Sequence, residues 1–269
     1  MAKNVKIVDL SVEIKEGIGD PSKIPPAILG LAEKLTAKIQ YLDHEKSIPE
    51  MLASFPGVKA EDLPEGQAWA NEYITMSTHS GTHIDSPYHF FPTSEGKKAK
   101  TIDEMPLELA YGNGVVLDMR HKKTGEVIGV GDLQGALKKI KYSLKPFDIV
   151  LLMTGTDKFW DTAKYWTDYP GAGREATIWL VDQGVKVVGT DAPGWDRPFS
   201  YQVKEFQKTG NRKLIWEGHF AGQEREYYQI EKLAHLDQLP PFGFKFCCFP
   251  IKLFKASAAW IRPVAIIEE

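Results

Sequence analysis

The sequence predicts an α/β domain, and three observations carry that prediction. Short apolar runs rich in β-branched residues recur at 5–14, 114–119, 148–153 and 185–191. Stretches with helical periodicity lie among them at 27–35, 132–140 and 176–183, and Gly, Pro or Asp marks the junctions. The chain has 269 residues, 43% of them hydrophobic, which is ample for one buried core, so 1–269 is read as a single domain.

The opening strand alternates through Val5, Ile7, Val8, Leu10, Val12 and Ile14 and runs into a turn at 17–21 containing Gly17, Gly19 and Pro21. Residues 27–70 then mix the helical pattern at 27–35 with polar, Pro-containing stretches at 48–50 and 63–66. This segment is read as an insert, either a lid or rim shaping a substrate pocket or a surface for subunit contact. Residues 72–78 are rich in β-formers and predict a strand. After them Phe90 offers an apolar wall, and the short basic tract 97–100 reads as a solvated loop.

Thr101 is placed to cap a short helix, 114–119 has the run of a buried strand, 132–140 reads as a helix capped by Asp132, and a strand follows at 148–153. Residues 159–169 gather Phe159, Trp160, Tyr165, Trp166 and Tyr169. Aromatic clusters are ordinarily packing, but loops leaving strand ends are where α/β proteins bind ligands, so Trp160 and Trp166 are candidates to face an aromatic substrate. The glycines of 171–173 lack the spacing of a phosphate loop and read as the turn before helix 176–183, which Gly184 ends. Residues 217–220 precede a predicted helical run ending at 227–233. Cys247 and Cys248 are adjacent, which would strain a disulfide, so they are read as reduced, in a strand, with one facing the core.

The chemistry concentrates in His79-Ser80-Gly81-Thr82-His83-Ile84-Asp85-Ser86-Pro87-Tyr88-His89, which holds three of the chain's seven histidines and an aspartate. Imidazole nitrogen and carboxylate oxygen are donors for zinc, manganese and iron(II). Gly81 and Pro87 argue against a helix here, so the segment is read as a turn and an extended run in which His83 and Asp85 share a face. His79 reaches the same point from across the turn. A lone histidine is usually a satisfied core or loop residue. Several desolvated ones beside a carboxylate need a compensating partner, and a cation supplies it.

These residues carry a resemblance. The segment resembles the His-x-Gly-Thr-His-x-Asp-x-Pro-x-His signature of the cyclase family of metal-dependent hydrolases, whose members include bacterial kynurenine formamidases and isatin hydrolases, and every fixed position is present. The resemblance implies a swivelling β/β/α-type fold with a mixed central β-structure and flanking helices. It also implies that His79, His83 and Asp85 hold a divalent metal, that His219 and Glu231 complete a second position bridged by Asp85, and that His89 moves the proton. With one ion instead of two, His219 and Glu231 would orient water or substrate. The match continues through Leu233 to Pro241, Phe249 to Lys252 and the closing strand. It departs at 15–30, where many of these formamidases use a tryptophan and this chain has none.

The expected activity is hydrolysis of a C–N amide bond, in an arylformamide or a cyclic amide or imide, by water activated on Mn2+ or Zn2+. A lactone or ester hydrolase of the same family is the neighbouring reading, and a non-catalytic metal- or ligand-binding protein is the rival class. His89, surplus to a complete ligand set, argues against that rival. Gly-x-Ser-x-Gly is absent, which removes the usual serine-hydrolase reading. A net charge of −3 and scattered basic residues give no footprint for nucleic acid. No apolar run is long enough to span a bilayer, so a cytoplasmic protein is expected, with a small-molecule partner and a homodimer or homotetramer as the resemblance implies.

Overall fold

The computed structural model describes residues 4–17 and 20–268; residues 18 and 19 of the expected turn at 17–21 lie outside them. Nine strands share one sheet: β1 Val5–Asp9, β2 His83–Asp85, β3 Tyr111–Asp118, β4 Ile149–Met153, β5 Val187–Thr190, β6 Tyr228–Glu231, β7 Phe244–Cys247, β8 Ala258–Trp260 and β9 Val264–Glu268. Their spatial order is β1-β9-β7-β3-β4-β5-β6-β2-β8. The middle four, β3 to β6, are parallel, and the strands on both sides are antiparallel. This is the expected mixed α/β domain.

The parallel centre follows from the chain's apolar runs. All five residues of β4 are buried, as a strand covered on both faces requires. Val150 and Leu152 pack with Val115 and Leu117 of β3 against helices α2 (Val130–Ile140) and α3 (Arg174–Asp182). The alternate residues Ile149, Leu151 and Met153 join Val116, Ile230, Phe244 and Phe246 in the core on the other face. Asp132 does not itself cap α2. Gly129 occupies that position, and Asp132, in the first turn, accepts from the Gly129 N–H at 2.8 Å. Gly184 follows α3 at φ +90° with Pro146 against it, a conformation that suits glycine.

Three expectations are corrected. The opening strand is shorter than 5–14, because after Asp9 the backbone leaves the β9 ladder: the Leu10 N–H bonds to Pro263 O at 2.9 Å, and Ser11 bridges to Leu233. The strand expected over 72–78 is Asn71–Thr75 and stops before the turn; it pairs with Lys38–Leu42, a strand that the reading of the insert did not include. Most consequentially, residues 227–233 are not the end of a helix. Tyr228–Glu231 is strand β6, because Tyr228 and Ile230 turn into the core while Gln229 and Glu231 alternate to the other face. The aromatic and β-branched content there favours a strand once a partner is available. That partner is β5 on one side and β2 on the other.

Cys247 and Cys248 are free, with Cys248 buried, as read from the sequence. Among the described residues no helix is long and apolar enough to cross a membrane.

Candidate metal centre

Strand register builds the site. β2 pairs with β6 so that His83 lies opposite Glu231, Ile84 opposite Ile230 and Asp85 opposite Gln229. Because side chains alternate along a strand, the two isoleucines enter the core and the four polar residues stand together on the other face. Gly81, at φ +59°, turns the chain just before β2 and leaves His79 with Nδ1 2.8 Å from Asp85 Oδ1. His83 Nε2 is 3.4 Å from the same oxygen and 3.6 Å from Glu231 Oε2.

The donor set fits a cation. His83 Nδ1 lies 2.9 Å from the Gly81 carbonyl. A carbonyl only accepts, so that nitrogen carries the proton and Nε2 presents its lone pair. His83 Nε2 and Asp85 Oδ1 are both buried with no hydrogen-bond partner, although His79 Nδ1 is near in distance. Atoms crowded together without being aimed at one another are what a shared third centre requires. Among the described residues two groups of donors each gather their atoms within 4.8 Å of one another: His79, His83 and Asp85, and Asp85, His89 and His219. The second contains His89 where the resemblance implied Glu231.

His219 arrives from the single helical turn Glu217–Phe220. Its Nδ1 hydrogen-bonds to Asp196 Oδ2, and its Nε2 is 3.3 Å from Glu231 Oε1 and 2.9 Å from Gln229 Nε2. The Gln229 amide also donates to Glu231 Oε1 at 2.8 Å. Glu231 is further held by the Trp195 N–H at 3.1 Å. Lys232 sits at φ +61°, which breaks the alternation of β6. Its buried ammonium therefore returns to the same place, 3.6 Å from Glu231 Oε2 and 3.1 Å from the His79 carbonyl, to which it donates.

Charges follow from these contacts. Burial opposes ionisation of Asp85, but His89, His79 and His83 outweigh it and hold its carboxyl well below the usual range. Burial opposes Glu231 as well, and the hydrogen bond from His219 brings it down to about 2. Burial disfavours the His219 cation, yet Asp196 and Glu231 overcome that and raise it to about 10. His89 has no such anchor, and burial pushes it down to about 4. Its Nε2 is 4.0 Å from Asp85 Oδ2, its ring is tilted over His79 at 4.0 Å, and it retains some exposure.

A cavity of about 850 Å³ takes in His79, His89, His219, Glu231 and Lys232. Trp216, stacked on His219 at 4.2 Å and edge-on to His89, forms part of its wall. Of the aromatic residues singled out from the sequence, Trp166 lines this cavity. Trp160 does not: it lines a separate, water-sized cleft beside Ser80 and Tyr165. Nor does Phe90, which is 2% exposed and stacked on Tyr227 in the core. Helix α1, Pro26–Lys34 of the insert, supplies Ala27, Ile28 and Leu31 to the wall.

Sequence reasoning did not single out Asp196, Gln229, Lys232 or Trp216. Gln229 was within reach, since it alternates with Glu231 once 228–231 is read as a strand. The others are brought in by loops with no local signal.

A family model described as "Putative cyclase" matches residues 8–197. The chain belongs to the cyclase family. Among its curated relatives is a kynurenine formamidase from Erythrobacter litoralis, 31% identical over 199 residues that span 73% of this chain and 76% of the relative. A kynurenine formamidase from Bacillus thuringiensis is 27% identical over 236 residues, 84% of this chain and 96% of the relative. The cyclase-family fold extends over the whole molecule. An isatin hydrolase A from Labrenzia aggregata bound to benzyl benzoate superposes with a TM-score of 0.74 at 22% identity, covering 98% of this chain and 94% of that one.

Proposed function

We propose that this cyclase-family chain is a divalent-metal-dependent hydrolase that cleaves a non-peptide C–N amide bond in an arylformamide or a cyclic amide. The observation that carries the reading is the convergence of His79, His83 and Asp85, with the lone pairs of His83 Nε2 and Asp85 Oδ1 unpartnered in the interior. The relatives' names support the reaction class: the curated matches include kynurenine formamidases.

A bound Mn2+ or Zn2+ would lower the pKa of a coordinated water to about 7 and polarise the substrate carbonyl. The chain's own residues do the rest. His89 faces the cavity beside Asp85 with no carboxylate fixing its proton, so it is the group placed to accept the proton of the attacking water and deliver it to the leaving nitrogen. Asp196 fixes the His219 ring through Nδ1, and Gln229 spans His219 and Glu231, so both keep their orientation whether one ion or two are bound.

The test is a panel of N-formylarylamines, cyclic imides and lactones, offered to protein loaded with Mn2+ or Zn2+ and to protein stripped by chelation. Metal-dependent turnover of the amides is expected. Full activity in metal-free protein would overturn the reading, and turnover of lactones alone would move it to the ester-hydrolysing side of the family.

A further inference from the structure

We infer that the natural substrate carries an extended apolar group, an alkyl or alkyl-aryl tail on the hydrolysed amide, which lies between α1 and the helix Phe199–Thr209, here α4. The inference rests on the hydrolase reading above and adds the substrate's shape.

The cavity is the first ground. At about 850 Å³ it is near the upper end of small-molecule sites. A single benzene ring fits a hole of about 150 Å³, so an arylformamide of one ring would leave most of this space unfilled.

The second ground is what faces it. Ile28, Leu31 and Leu35 follow the spacing of one helical face along and just beyond α1, and Phe199 and Val203 do so on α4. Ile28 also packs against the small cluster of Ile24 and Ala32, but the other ends of these stripes are left open to the cavity: Leu31 is 41% exposed, Phe199 44% and Val203 49%. Apolar side chains at such exposure on two facing elements, continuous with a candidate metal centre, leave area that an apolar ligand would remove from water.

The third ground weighs against an anionic tail. Arg197, the buried guanidinium that reaches the cavity, has its charge matched through Nη2 by Glu205 at 2.6 Å and Glu217 at 3.3 Å, although its Nε–H is buried without a hydrogen-bond partner. Lys232 is committed to Glu231 and the His79 carbonyl. Lys34 and Lys204 touch the cavity only from solvent-exposed positions, where attraction for an anion is screened.

The experiment uses the full chain loaded with metal and two substrate series, 4-n-alkyl-N-formylanilines from methyl to octyl and N-alkanoylanilines of the same lengths, with formanilide as reference. In the series that matches the bound orientation, kcat/KM is expected to climb roughly three- to fourfold per methylene, the transfer value of a buried CH2, until the cavity is filled. In Val203→Asp that climb flattens, whatever the level of the reference. A flat or falling profile in both series, with formanilide still hydrolysed, overturns the tail and leaves the hydrolase reading standing. An undiminished climb in Val203→Asp also overturns the placement along α4. No turnover of any member by metal-loaded protein overturns this inference and, with it, the linear-amide side of the hydrolase reading; the cyclic imides of the first panel test the other side separately.

Discussion

Asp196→Asn replaces one carboxylate oxygen by an amide and leaves the side chain's shape almost unchanged, so its effect isolates what the charge does. The carboxylate is 4% exposed and takes three N–H donors: the backbone of Gly218 at 2.7 Å, the backbone of His219 at 3.1 Å, and His219 Nδ1. An asparagine has one acceptor oxygen for these three. Hydrogen bonds to a charged group contribute about 1.5–3 kcal/mol each, so the metal-free protein should lose about 2–3 kcal/mol, readable as a lower urea midpoint at unchanged slope. The functional consequence is separate. When His219 is neutral, as a metal ligand must be, Asp196 keeps its one proton on Nδ1, whereas an asparagine NH2 turned towards that nitrogen would drive the proton to Nε2, the atom facing Gln229 and Glu231. Changing a residue that orients a ligand this way typically costs 10- to 100-fold in metal affinity or activity, and about that loss is expected here. Competition against a buffered chelator, with elemental analysis of the protein, measures it. Metal affinity and activity both within twofold of wild type would refute the argument that Asp196 sets the tautomer of a functional histidine.

His83→Ala, which removes an imidazole of 0% exposure, should abolish metal retention and amide hydrolysis together; elemental analysis and formanilide turnover on the same sample check it, and activity surviving without metal would contradict the centre. Lys232→Met removes the cation beside Glu231 and the donor to the His79 carbonyl, and breaking one side of a buried pair should cost about 3–5 kcal/mol in urea unfolding; a loss under about 1 kcal/mol would mean the ammonium braces nothing. Asp191 belongs to neither donor group and accepts from the backbone of Thr154 and Gly155, yet burial pushes it up to about 7 in the folded protein from an ordinary value of 3.8. A raised folded-state pKa means that folding binds a proton, so this group's contribution is full below about pH 4 and declines as pH rises to 7, by up to about 4 kcal/mol. The stability advantage of wild type over Asp191→Asn should therefore shrink between pH 4 and 7, and a gap that widens over that range would reverse the assignment.

Much of the architecture was legible because its causes are local. The unbroken, β-branched apolar run read at 148–153 fits a strand covered on both faces, and the helical spacing read at 132–140 needs no distant partner to be recognised. The ligand-rich stretch from His79 to His89 was legible for the same reason: a turn glycine, a two-residue alternation and four donor groups fall within eleven positions. Where the reading failed, the deciding partner was remote. Residues 228–231 are amphipathic enough to be misread as helix, and they become a strand because β2, some 144 residues earlier in the chain, pairs with them. Phe90 beside the signature invited a substrate role, but its ring found Tyr227 first.

By itself, then, the sequence determined an α/β domain, the candidate donor residues His79, His83, Asp85 and His89, and membership of the cyclase family, since each depends on residue identity over a few neighbouring positions. The tertiary structure alone decided which distant groups join them: Gln229 and Glu231 through one strand register, Asp196 as the anchor of His219, Lys232 through a left-handed residue, and two apolar helix faces around the cavity. Register and loop placement are set by the cooperative packing of the whole core, and no short stretch of side chains encodes that alone.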